Sequence, residues 1–374
     1  MIVFFSNFFN HHQALVASEL YKLTNKQYVF VETMPMPDWI LKSGYPEFHE
    51  EYILKAWKSE KDKTLAFKLC ESADVCVFGG FETIKYAVRR AKLGKLSFVV
   101  GERSLKKGWI NILSPRLLVS LWYYHTLFYK KPFYYLCSSA FSASDLNKLH
   151  AYKNKCYKWG YFTNVDRINL ASGRKYMTHV TMMWCARFLD WKHPELPVLL
   201  AAELKKRHYD FHIDMYGSGE YYVKIEKLIS SLNLEDVVIL KGNLPNKEIL
   251  AEMGSHDIFL FTSDKQEGWG AVANEAMSQG CILVGSDEIG SVPYLVKDSE
   301  NGLLFRSRDI NSLCDKVIYL LEHRELWQTI CNNAVRTLQT QWSPTVAAGN
   351  LLTLIYDLQN GKDTSITDGP CSKA

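Results

Sequence analysis

Nine cysteines occur in the chain, but no two form a Cys-x-x-Cys pair and none clusters with histidine at a metal-like spacing. That argues against a disulfide framework and against a zinc site built from neighbouring residues. An odd number of thiols, mostly inside apolar segments such as Asp74-Val-Cys-Val-Phe78, reads as reduced and buried, and implies a reducing compartment. No apolar run approaches the roughly 18 residues that cross a bilayer. The opening Met1-Ile-Val-Phe-Phe-Ser-Asn7 is apolar, yet it is too short for a secretory signal and has no basic leader. Charge is nearly balanced, with 44 Lys and Arg against 40 Asp and Glu and a net +4. No concentrated basic patch points to nucleic acid, whereas an anionic substrate or an anionic membrane surface fits the mild bias. Internal repeats and low-complexity tracts are also missing. The expectation is a cytoplasmic protein without a nucleic-acid partner.

What is present is an ordinary globular mix, 47% hydrophobic and 22% charged over 374 residues, enough for two domains. Apolar runs alternate with helical patterns. Ile2-Val-Phe-Phe5 precedes the helix-like His12–Tyr21. Then follow Tyr28–Val31, Val75–Phe78, Leu96–Val100 and Tyr134–Cys137. The alternation restarts after about residue 165 with His179–Trp184, Phe211–Tyr216, Val237–Leu240, Ile258–Phe261 and Ile282–Val284. Strands separated by helices predict parallel sheets with crossover connections. The expected fold class is therefore α/β, with two Rossmann-like domains at 1–163 and 164–340 and a linker near Tyr161–Asp166. The end, 361–374, has little to bury and is expected to be a loose tail. Ligands of open α/β sheets bind at the carboxyl ends of strands, so two such sheets facing each other would enclose a cleft.

The most informative block is Glu267-Gly268-Trp269-Gly270-Ala271-Val272-Ala-Asn-Glu275. It follows the buried-strand pattern of Ile258–Phe261 and runs from a glycine-rich turn into a helix. Strand, glycine-rich loop and helix start present backbone N–H groups that suit a phosphate. A carboxylate on each side can grip hydroxyls flanking it. Three further pieces share the second half. Arg187 and Lys192 follow its first strand, where fixed cations would stabilise the charge that develops on a departing diphosphate. Gly217 and Gly219 follow the next strand and suit either a sharp turn or a close ligand approach. Asn243 and Leu244 sit at a strand exit that is either a plain turn or a source of contacts to a nucleobase.

In this order, from Trp184 to the closing Asn301-Gly-Leu-Leu-Phe305, these pieces resemble retaining glycosyltransferases of family 4, the glycosyl transferases group 1, with the GT-B fold. The resemblance implies two Rossmann-like domains facing across a cleft, with a C-terminal helix at 341–360 crossing back to the first. It implies a sugar transfer with retention at the anomeric carbon, from a nucleotide-diphosphate sugar, UDP being the favoured carrier, to a saccharide or lipid-linked saccharide in surface polysaccharide assembly. By the family pattern Arg187 and Lys192 hold the diphosphate. Glu267 contacts the transferred sugar, Glu275 the ribose hydroxyls, and the Gly270–Val272 backbone the phosphate. No cofactor or metal is expected: the second half has no Asp-x-Asp, and cationic side chains can replace the ion.

The first half departs from the family. Its first loop reads Ser6-Asn-Phe-Phe-Asn10-His11-His12-Gln13 in place of a glycine pair, and Glu102-Arg103 stands where many members have a histidine. Asn10, His11 and Arg103 are acceptor-side candidates. Glu102 is a candidate to accept a sugar hydroxyl proton, and the Glu102-Arg103 dyad reads equally as a surface ion pair. The aromatic stretch Leu117–Tyr135, with Lys130 and Lys131, is either a buried helix or a membrane-interface contact on the inner face. Two other functions remain open, a non-catalytic nucleotide-sugar-binding protein and a nucleotide-sugar 2-epimerase of the same architecture.

Overall fold

The structure is a computed structural model and describes residues 1–38, 47–163, 165 and 179–374. Of the linker expected at Tyr161–Asp166, residues 164 and 166 lie outside the described residues. The chain divides into two compact units, Met1–Phe162 with Gln341–Ala374, and Thr163–Thr340.

The first unit holds strands β1 (Ile2–Ser6), β2 (Tyr28–Glu32), β3 (Ile53–Lys55), β4 (Val75–Gly79), β5 (Ser97–Gly101), β6 (Phe133–Cys137) and β7 (Cys156–Lys158). They form one parallel sheet in the order β3-β2-β1-β4-β5-β6-β7. Strand order reverses between β1 and β4, the kind of switch point where loops diverge and leave a crevice. All five residues of β1 are buried, as expected of a parallel strand covered on both faces. Asn10 opens the helix His11–Leu23 with a capping box. Its side chain accepts the His12 N–H at 3.0 Å while Gln13 accepts the Asn10 N–H at 3.3 Å. That satisfies both groups locally and explains Asn10 without a ligand. The helix Pro344–Gln359, capped by Ser343, packs on His11–Leu23 in this unit, with Thr345 bonded to Glu19 at 3.1 Å.

Two expectations are corrected here. The segment 361–374 is not a loose tail. Cys371 and Ser372 are buried, and the Cys371 N–H and Ser372 carbonyl bond the backbone of Lys158 beside β7. The stretch 117–135, read as one unit, is two. The helix Pro115–Tyr123 has no buried residue, whereas Tyr124, Phe128, Phe133 and Tyr135 lie in the core. The exposed apolar surface also begins earlier: Trp109, Ile110, Leu113 and Trp122 are 60%, 63%, 75% and 60% exposed. Among the described residues, no helix is long and apolar enough to cross a membrane.

The second unit holds β8 (Val180–Cys185), β9 (Phe211–Tyr216), β10 (Val238–Gly242), β11 (Ile258–Phe261), β12 (Ile282–Ser286) and β13 (Leu303–Phe305). They form a parallel sheet in the order β10-β9-β8-β11-β12-β13. Its switch point lies between β8 and β11. Every residue of β11 and β12 is buried. The loops that leave β8 and β11 are thereby anchored on the most enclosed part of the sheet.

In the first unit, Arg90 is fully buried and donates to four carbonyls, those of Cys70, Ala73, Asp74 and Leu96, at 2.9, 2.7, 2.7 and 3.3 Å. It ties the starts of β4 and β5 to the helix Glu60–Ser72. Replacing Arg90 with Met removes charge-assisted bonds and strands buried carbonyls, so we expect a loss of at least about 3 kcal/mol in denaturant unfolding. A change of under about 0.5 kcal/mol would mean that the network contributes little.

Candidate functional site

The second unit places Lys192 and Glu267 together at the exits of β8 and β11. Their side chains form an ion pair, and each is only 12% exposed. The two residues are 75 positions apart, so local chain geometry does not explain the contact. A small network does. The Trp184 indole N–H donates to Thr262 Oγ1 at 2.8 Å, and Thr262 donates to the carbonyls of Lys192 and His193 at 2.7 and 3.2 Å. The Asp264 N–H donates to the Trp191 carbonyl at 2.9 Å. The carboxylate of Asp264 accepts the Gln266 N–H at 2.8 Å, and its carbonyl accepts the Glu267 N–H at 3.0 Å. Asp264 also meets Arg308 and lies 3.5 Å from His193 Nε2. Lys192 Nζ sits 4.3 Å from the centre of the Trp191 ring.

These contacts set charge states. Burial works against the charge of Asp264, but His193, the Gln266 N–H and Arg308 outweigh it and hold the carboxyl well below the usual range. Burial likewise opposes charge on His193, while Asp264 and Glu195 overcome that and push its pKa up to about 9. Glu275, on the helix Val272–Ser278, is pushed up by burial, partly offset by the Asn246 amide at 3.2 Å.

The other residues selected from the sequence divide. Arg187 is exposed on the loop leaving β8, with no ion pair among the described residues. Gly217 and Gly219 have φ of 131° and 153°. A Cβ on Gly217 would lie 1.9 Å from the Ala186 carbonyl oxygen, and one on Gly219 2.5 Å from that of Phe188. Of the two readings of this pair, a sharp turn or a close ligand approach, the steric demand bears on the turn. What demands glycine at both is the 186–188 backbone, which lies flush on the exit of β9 and is bonded there by Phe188 N–H to Ser218 O at 2.9 Å. The pair positions the Arg187 loop. Trp269 needs a correction. The residue is wholly buried and its indole bonds Asn274 at 2.9 Å, so the side chain anchors the loop and does not reach a ligand. Gly268 is buried, Gly270, Ala271 and Val272 are half-buried at the helix start, Leu244 is half-buried, and Asn243 is exposed and bonded to Ser218 at 2.8 Å. Asp264, His193, Thr262 and Arg308 were missed. Asp264 falls between Ile258–Phe261 and Glu267–Glu275 and His193 directly follows Lys192, but no spacing rule links them.

In the first unit, Glu102 accepts from Lys106 at 2.6 Å and from the Tyr161 hydroxyl at 2.8 Å. Arg103 is held by buried Asp145 at 3.4 Å and lies over the Phe141 ring. The Glu102-Arg103 dyad is thus not an ion pair with itself, and the Arg103 guanidinium already has an anion. Burial lowers the pKa of His11, and burial with the charge of His11 pushes His12 down to about 3. The His12 ring stacks on Tyr161 at 5.0 Å. A cavity of about 340 Å³ opens beside these residues, with Phe78, Ile84 and Val100 on its apolar side and Glu102, Arg103 and Arg116 on its polar side.

Comparison with known proteins defines the class first. The chain shares its fold with Anabaena HepE in complex with UDP, at a TM-score of 0.69 and 14% identity over 94% of this chain and 98% of that one. It shares it also with WaaG, a glycosyltransferase involved in lipopolysaccharide biosynthesis, at 0.60 and 13% over 93% and 98%. The fold is that of the GT-B glycosyltransferases. Residues 167–337 match the family described as glycosyl transferases group 1. An uncharacterized glycosyltransferase of Methanocaldococcus jannaschii is 31% identical over 33% of this chain and 34% of its own length. The poly(glycerol-phosphate) alpha-glucosyltransferase of Bacillus subtilis is 30% identical over 35% of this chain and 19% of its own. The chain thus matches 34% and 19% of the length of these relatives.

The raised pKa of His193 has a stability consequence. Its contribution is complete below its ordinary value of 6.5 and is lost as pH rises through about 9. The melting temperature of the parent should therefore fall across that window. Asp264→Asn removes the charge that raises the pKa and should flatten the fall by about half or more. An unchanged slope would show that Asp264 does not control His193.

Proposed function

We propose that the chain transfers a sugar from a nucleotide-diphosphate sugar to a saccharide or lipid-linked saccharide, with retention at the anomeric carbon. The observation that carries this reading is the enclosed Lys192–Glu267 pair at the β8/β11 switch point, with Glu275 following on the next helix. A diphosphate arriving there gives Lys192 a stronger partner and releases Glu267 to a sugar hydroxyl. Arg187, exposed on the adjoining loop, adds a second cation. Glu275 takes the ribose hydroxyls. The bond from the anomeric carbon to the diphosphate oxygen breaks, and the acceptor oxygen bonds the same face. The acceptor proton passes to the departing phosphate oxygen. UDP as the carrier is supported by the UDP complex of the structurally similar HepE.

The acceptor side rests on the first unit. A half-apolar cavity with the Arg116 guanidinium on its wall, beside the Asp145-held Arg103, suits an amphipathic, anionic acceptor. The neighbouring exposed Trp109, Ile110, Leu113 and Trp122, with Lys107, Lys130 and Arg116 around them, suit the interface of an anionic membrane.

Lys192→Ala should weaken UDP binding about ten-fold or more, the loss of one charge-assisted bond of about 1.5–3 kcal/mol. Glu275→Gln should raise the donor KM, and Glu267→Gln should lower kcat more than it changes UDP affinity. Equal UDP affinity in the parent and in Lys192→Ala would overturn the donor assignment. Donor turned over to a 2-epimer without transfer, or binding without turnover, would replace the transferase reading.

In vesicle flotation, the parent should rise with anionic lipid at low salt. Trp109→Ser with Trp122→Ser should reduce this while UDP binding holds. A parent that stays in the soluble fraction at every lipid composition would remove the membrane contact and favour a soluble acceptor.

A further inference from the structure

A second cluster lies in the second unit, away from the donor site. His212 and Asp214 are two residues apart on β9 and share a face, because Phe211, Ile213 and Met215 point into the core on the other. His256, just before β11, reaches the same place. One ring nitrogen of each histidine and one carboxylate oxygen of Asp214 lie within 4.8 Å of one another. Asp214 and His256 are buried and His212 is half-buried. The cluster sits toward the amino ends of the strands, whereas Lys192 and Glu267 follow their carboxyl ends.

The outer hydrogen bonds decide what these groups offer. His256 Nδ1 lies 2.7 Å from the Glu252 carbonyl, which can only accept, so Nδ1 carries the proton. Its Nε2 then faces Asp214 Oδ2 at 3.4 Å, as a lone pair toward an anion unless it is protonated. His179 Nδ1 lies 2.5 Å from Asp210, and its Nε2 lies 2.7 Å from His212 Nδ1. A proton on His179 Nδ1 leaves Nε2 to accept from His212 Nδ1, and Nε2 of His212 keeps its lone pair. Both imidazoles therefore have one nitrogen anchored and the other basic, the arrangement that orients metal-bound histidine. Burial lowers the pKa of His212, which keeps it neutral. Lys241, 3.3 Å from Asp214 and 41% exposed, already places a cation there and is free to swing to solvent.

We propose that His212, Asp214 and His256 form a site for a divalent transition metal, zinc or cobalt in preference to magnesium. Two imidazoles and a carboxylate favour such ions, and the hard cations prefer all-oxygen sets. The ion would replace Lys241 as the counter-charge of Asp214. It would tie β9 to the turn between the helix Asn246–Ser255 and β11, serving structure and not sugar transfer.

The test uses the full chain, treated with chelator and kept reduced, titrated with zinc chloride and with cobalt(II) chloride. One equivalent should bind with a Kd on the order of 1 µM or tighter, and cobalt should give the visible absorption of a site with few ligands. Zinc should raise the melting temperature by mass action. His212→Gln and His256→Gln should each weaken binding by more than about ten-fold, and His179→Gln, which removes only the outer support, by about ten-fold. His256 is buried and its variant can lose the fold. His212→Gln and His179→Gln, at half-exposed positions, carry the test in that case. UDP binding of the parent should be the same with and without zinc, which separates this site from the donor site. No uptake by the parent at about a hundred-fold above that Kd would overturn the proposal and leave a protonated His256 paired with Asp214. Unchanged affinity in the His212 and His256 variants would place the metal elsewhere and overturn it equally.

Discussion

The second unit of this protein depends on how two short segments leaving β8 and β11 are held to each other. Thr262 and Asp264 do this by bonding the backbone of Trp191, Lys192 and His193. Without those bonds, Lys192 and Glu267 would have no reason to meet. Two largely enclosed charges repay their desolvation only with good geometry. The pair is therefore weak evidence for stability and stronger evidence for a site kept ready, since an incoming anion can take over the cation without a new charge being buried.

The same loops show why glycine and tryptophan stand where they do. Gly217 and Gly219 let the 186–188 backbone rest on the exit of β9, and buried Trp269 pins the turn before the helix Val272–Ser278. Neither needs a ligand to explain it. Rigid support beneath a site matters as much as the groups that touch substrate, because a charged contact loses much of its value when its geometry drifts. In the first unit the corresponding support is Asp145, which fixes Arg103, and Tyr161, which joins Glu102 to the stacked His12.

Much of the fold was legible in the sequence. The apolar run Ile258–Phe261 became a strand with the same bounds, because a buried parallel strand needs little beyond apolar side chains on both faces, and Phe211–Tyr216, which alternates apolar residues with His212 and Asp214, did so too. The three-residue strands β3, β7 and β13 were not recognised as strands, since three residues establish no period. Glu267, Lys192 and Glu275 were legible as a set through their order. Their supports were not, because a hydrogen bond between Thr262 and the Lys192 carbonyl leaves no mark in spacing. The chain end 361–374 was misjudged for the same reason: it is docked by backbone bonds to Lys158 and by Asp363 and Asp368 accepting from Tyr157 and Lys158, and composition does not show those partners.

The sequence by itself determined that two α/β units would form and that their second half would carry carboxylates and cations at strand exits, because hydrophobic periodicity and motif order are properties of the linear chain. Only the tertiary structure decided that Lys192 closes on Glu267, that the aromatic stretch divides into an exposed helix and a buried strand, and that His212, Asp214 and His256 share one pocket. The physical reason is common to all three. Charge pairing, exposure and metal-type clustering are set by distances between residues remote in sequence. Those distances exist only once strands have been placed side by side in an order the chain does not follow.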